Sequence, residues 1–80
     1  MSDRALNVSA YAFVALDDAA RVREAVHAQA AALHLKGTVL LAEEGINLFL
    51  AGRAHALRAW LAWLRTDARL AALEAKESWS

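Results

Sequence analysis

Residues 36–52 read Lys-Gly-Thr-Val-Leu-Leu-Ala-Glu-Glu-Gly-Ile-Asn-Leu-Phe-Leu-Ala-Gly, two apolar runs of strand length broken by Glu43, Glu44 and Gly45. A glycine able to take positive φ between two such runs predicts a β-hairpin with adjacent antiparallel strands at 38–42 and 46–51. Gly37 and Gly52 punctuate its outer ends. The apolar spacing on both flanks then lengthens from two residues to three or four, the period of a helix.

Upstream, residues 7–16 carry Val8, Tyr11, Phe13 and Val14 and end at Asp17 and Asp18, which predicts a first strand preceded by a frayed tail at 1–6. Ser9, Tyr11 and Phe13 share one face of it, and Val8, Ala10, Ala12 and Val14 the other. Neither face is strongly polar, so the strand is expected at the centre of a sheet, with its aromatic face under helices. Asp17 or Asp18 is placed to cap the following helix, whose apolar stripe is Val22, Val26, Ala30 and Leu33. His34 falls where that helix needs a left-handed terminal residue.

Downstream, residues 53–65 repeat the helical spacing, with Ala54, Leu57, Leu61 and Leu64 on one stripe and Ala56, Trp60 and Trp63 beside it. A short turn at 69–72 leads to residues 73–79, where Leu73, Ala75, Glu77 and Trp79 alternate with Glu74, Lys76 and Ser78 as in a half-solvated strand. The order strand, helix, strand, strand, helix, strand is the split βαβ pattern of an α+β, ferredoxin-like sandwich. Right-handed crossovers put both helices on one face of a four-stranded antiparallel sheet with strand order 4-1-3-2. The other sheet face is left open, and with Phe49 and several small apolar residues it is the natural docking surface.

Composition narrows the chemistry. Eighty residues make a single domain, 1–80, with a modest core, because much of the 59% hydrophobic content is alanine. Nine basic and nine acidic residues cancel, so any contact with nucleic acid has to be local. The absence of cysteine removes thiolate nucleophiles and zinc–thiolate sites. His27, His34 and His55 have no ligand spacing with carboxylates, so neither a metal nor another cofactor is expected. No apolar core of signal-peptide length precedes Asn7 and no apolar run reaches membrane-spanning length, so a cytoplasmic protein without a membrane partner is expected.

Two chemistries of this fold class fit poorly. An acylphosphatase uses the turn after its first strand as a basic cradle for phosphate, whereas Ala15-Leu16-Asp17-Asp18 would repel one. An RNA-recognition motif stacks bases on aromatics of its third strand, where Ile46-Asn47-Leu48-Phe49-Leu50 offers a single ring. Glu43 and Glu44 read as solvated turn residues.

At the hairpin the sequence is similar to a known family. Residues 36–47, Ala51-Gly52, Ala62-Trp63-Leu64-Arg65 and Lys76-Glu77-Ser78-Trp79-Ser80, with Asn7-Val8 and the opening Tyr-Ala-Phe-Val-Ala-Leu at 11–16, resemble the N-terminal region of the rhodanese-like tRNA uridine hydroxylases. The resemblance implies an acylphosphatase-like domain followed by a rhodanese domain bearing the essential cysteine. It also implies oxygen-dependent hydroxylation of the wobble uridine by the full-length enzyme. Leu48-Phe49-Leu50 and His34 depart from the family pattern, which favours Gly-Thr-Val and glycine there. The chain as given ends ahead of the expected cysteine, so no catalytic residue of the family is carried onto it.

The function this implies is a non-catalytic domain that helps position tRNA or packs on the rhodanese domain of the same full-length chain. The alternative is a purely structural module without RNA contact. The candidate tRNA or interdomain contacts are Lys36, Asn47, Phe49, Arg53, Lys76 and Trp79.

Overall fold

The computed structural model describes residues 4–80. Along the chain come β1 (Leu6–Ala12), α1 (Ala19–Ala32), β2 (Lys36–Ala42), β3 (Gly45–Gly52), α2 (Ala54–Leu64), a 3-10 turn (Ala68–Leu70) and β4 (Ala75–Trp79). The strands form one antiparallel sheet in the order β2-β3-β1-β4, the expected order read from its other edge. The hairpin closes more tightly than its three-residue break suggests. Ala42 pairs with Gly45, so the turn is Glu43-Glu44 alone and Gly45 opens β3 at φ 153°. A Cβ on Gly45 would overlap the carbonyl oxygen of Ala12, where β1 ends beside the hairpin.

The core lies on one side of this sheet. Leu6, Val8 and Ala10 of β1, Val39 and Leu41 of β2, and Ile46, Leu48 and Leu50 of β3 are all buried there. α2 covers them with Ala56, Leu57, Trp60, Leu61 and Leu64, whereas α1 buries only Val26 and Ala30. Trp60 is wholly buried, and its Nε1 donates to the Val26 carbonyl at 3.3 Å, tying the two helices together on the same sheet face. Leu61 is 3% exposed in the middle of this layer. Leu61→Ala is therefore expected to cost about 2 to 4 kcal/mol in a urea melt. A loss below about 0.5 kcal/mol would mean that this face of α2 is not packed.

Four expectations need correcting. The aromatic face of β1 does not lie under the helices: Tyr11 is 65% and Phe13 85% exposed. The pairing of β1 with β3 puts Val8 opposite Leu50 and Ala10 opposite Leu48, and this continuous aliphatic surface is the one the helices cover. The first strand begins at Leu6 and ends at Ala12 rather than spanning 7–16. Of the tail expected at 1–6, residues 1–3 lie outside the described residues, whereas Leu6 is fully buried and Ala5 exchanges two backbone hydrogen bonds with Ser80.

Asp18 occupies the N-cap of α1, yet neither it nor any other side chain caps the helix by hydrogen bonding. Its carboxylate is drawn instead to Arg69. Last, β4 starts at Ala75 rather than Leu73, because Leu73 is buried in the segment after the 3-10 turn and Arg65 donates twice to its carbonyl. His34 meets its expectation, ending α1 with φ 57°.

Candidate functional site

Strand alternation that buries Leu6, Val8 and Ala10 turns Ser9 and Tyr11 to the opposite side, and the same holds along β2 and β3. Register then builds rows across this open face. Thr38, Phe49, Ser9 and Lys76 stand side by side, and Leu40, Asn47 and Tyr11 form the next row. Phe13 extends the patch, its ring edge-on to Tyr11 at 5.9 Å between centroids. Among the described residues, four of the five large hydrophobic residues that are exposed, Tyr11, Phe13, Leu40 and Phe49, belong to this one face. Two shallow depressions mark it: one of about 330 Å³ between Phe13 and Leu40, and one of about 500 Å³ running from Tyr11 to Lys76.

At the end of the sheet beyond Ala12 the surface is acidic. Asp17, Asp18, Glu43, Glu44, Asp67 and Glu74 occupy the turns there, and the Leu16 amide donates to the Glu43 carbonyl to hold two of those turns together. Arg69 sits among them, 2.7 Å from both the Asp18 and the Asp67 carboxylates. Hydrogen bonds from Arg69 hold both carboxyls below their ordinary range, and the same bonds raise the guanidinium. Because six carboxylates there outnumber Arg69 and the nearby Arg21, this end makes no phosphate cradle. Along the edge of the sheet Arg58 of α2 and Glu77 of β4 form an exposed pair at 3.0 Å, which raises the arginine and lowers the carboxyl.

The other end of the sheet, where β2 begins and β3 ends, is basic. A groove of about 680 Å³ there is lined by His34, Lys36, Arg53 and His55, with Arg4 at its rim. Arg4 lies over the Trp79 ring at 5.2 Å.

The six candidate contacts thus separate into three places. Asn47, Phe49 and Lys76 meet on the open face, and Lys36 and Arg53 meet at the basic end. Trp79, paired with Leu6, lies on the helix side of the sheet, apart from Lys76. Sequence reasoning missed Tyr11, Phe13 and Leu40 as exposed residues, since nothing in their apolar character separates a docking face from a core face. It also missed His34 and His55 as neighbours of Lys36 and Arg53, because the hairpin and two helix ends bring them together. Among the described residues no three histidine or acidic side chains group as a metal site, and no helix is long and apolar enough to cross a membrane.

This βαββαβ sandwich is matched over residues 5–80 by the family described as the UPF0176 acylphosphatase like domain. The chain belongs to that family. Curated relatives of this UPF0176 domain are named tRNA uridine(34) hydroxylase. That of Variovorax paradoxus is 59% identical over 75 residues, 94% of this chain and 28% of the relative. That of Bordetella petrii is 60% identical over 75 residues, 94% and 30% of the two chains. That of Delftia acidovorans is 56% identical over 80 residues, 100% and 30%. The UPF0176 domain therefore spans less than a third of the length of these relatives.

Proposed function

We propose that this chain acts as the non-catalytic N-terminal domain of a tRNA uridine(34) hydroxylase. Its open sheet face docks on the rest of the enzyme, the rhodanese domain, and so helps position the tRNA. The observation that carries this reading is the contiguous patch of Tyr11, Phe13, Leu40 and Phe49. A patch of exposed aromatic and aliphatic side chains on a small domain marks an interaction surface. The length of the relatives beyond the matched region supplies a partner in the same chain. Aromatic residues at the centre of such a contact carry most of its energy.

The test is a chimera in which this chain replaces the matching 75 residues of the Variovorax paradoxus enzyme. Hydroxylated uridine at position 34 of tRNA is then measured by mass spectrometry. The chimera is expected to keep its activity, and Phe49→Asp within it to lose at least about tenfold, as for an interface residue worth more than about 1.4 kcal/mol. Phe49 is 54% exposed, so the variant domain should melt near the wild-type temperature. A folded but inactive chimera would remove the hydroxylase role, and a fully active Phe49→Asp chimera would remove the docking face.

A further inference from the structure

The nine basic and nine acidic residues cancel in number but not in place. Six of the acids sit in the turns beyond Ala12, where Arg69 offsets part of their charge. The groove at the opposite end is lined by His34, Lys36, Arg53 and His55, and no acidic residue lines it among the described residues. Among the described residues, none of these four side chains enters an ion pair or a hydrogen bond there. Lys36 and Arg53 are like charges with no acidic partner there among the described residues, and an anion relieves their repulsion.

The backbone adds a second observation. His34 holds φ 57°, a conformation that glycine adopts with less strain, and thereby brings an imidazole to the groove. α2 starts at the same place with no side-chain cap and no acid in its first turn.

From this juxtaposition we infer that the basic end of the sheet is a cradle for the phosphates of an RNA backbone, with His34, Lys36, Arg53 and His55 as its donors. All four residues are exposed and the groove is open. A single phosphate in such a place gains little, because exposed ion pairs are worth about 0 to 1 kcal/mol each. A polyanion gains more, since each neutralised phosphate also releases condensed counterions. The assignment of RNA rests on the reading that the chain works within a tRNA-modifying enzyme. Lys36, paired with Ala51, stands one row along the open face from Phe49, so the cradle borders the docking patch.

The experiment is an amide-resolved NMR titration of the 80-residue chain with unfractionated tRNA, and separately with inorganic phosphate at equal phosphate concentration. Shifts are expected at residues 33–36 and 52–56 with tRNA. Affinity should fall roughly tenfold between 50 and 200 mM salt, the dependence that two lysine or arginine contacts produce. Lys36→Gln with Arg53→Gln should abolish both the shifts and the salt dependence, while His34→Ala with His55→Ala should weaken binding and leave the salt dependence in place. The cradle is overturned if tRNA shifts the Phe49 face instead, if it shifts nothing, or if the lysine and arginine variants bind like wild type. Equal shifts with inorganic phosphate would overturn the RNA assignment in favour of a free-anion site. No hydroxylation is read here, so a failed cradle beside an active chimera leaves the hydroxylase reading standing, and the reverse result removes that reading alone.

Discussion

Trp60→Ala should lower the stability of the domain by about 3 to 5 kcal/mol, the range for emptying a buried aromatic site. Eighty residues at about 0.05 to 0.15 kcal/mol each hold a total of only about 4 to 12 kcal/mol, so this one change removes much of it. The cause is position as much as size. Trp60 is fully buried, tilts against Trp63 at 6.3 Å between ring centroids, and is the side chain whose N–H reaches across to α1 at the Val26 carbonyl. α1 is rich in alanine and contributes only Val26 and Ala30 to the buried set, so it has little else with which to refill the space. Trp60→Phe should cost clearly less, because one aromatic ring stays in the site and only the hydrogen bond and part of the indole volume are lost. Urea melts of the two variants check this, and a loss below about 1 kcal/mol for alanine would show that the helices close over the gap.

Gly45→Ala is expected to cost about 2 to 3 kcal/mol although it adds a single methyl group. Two effects combine there. The backbone at φ 153° is one that residues with a Cβ rarely adopt, and such strain costs about 1 to 3 kcal/mol. The new Cβ would also meet the Ala12 carbonyl oxygen, a backbone atom that cannot swing aside as a side-chain tip would. Relief requires the Glu43-Glu44 turn to move away from β1, which disturbs the Tyr11, Phe13 and Leu40 side of the docking patch. The variant should therefore show both a lower urea midpoint and altered near-ultraviolet signal from Tyr11 and Phe13. A midpoint within about 0.5 kcal/mol of wild type would show that the hairpin shifts without strain.

Local spacing along the chain was enough to determine the hairpin, the two helices and the ferredoxin-like order of elements. Each of these depends on neighbours in sequence: a period of two or of three to four, or a glycine between apolar runs. The left-handed end of α1 at His34 was legible for the same reason. What remained open needed partners from far along the chain. Both faces of β1 are apolar enough to be buried, and only pairing with Ile46, Leu48 and Leu50 of β3 decides that Val8 and Ala10 go in while Tyr11 and Phe13 stay out. Asp18 has the chemistry of a helix cap, but an arginine 51 residues away offers a charged, two-pronged donor, and its carboxylate turns to that instead. The basic groove is likewise a product of folding, since the hairpin carries Arg53 back beside Lys36 and the ends of α1 and α2 add His34 and His55. Spacing determines which elements form; only the closed sheet decides which of their side chains meet and which face is left for a partner.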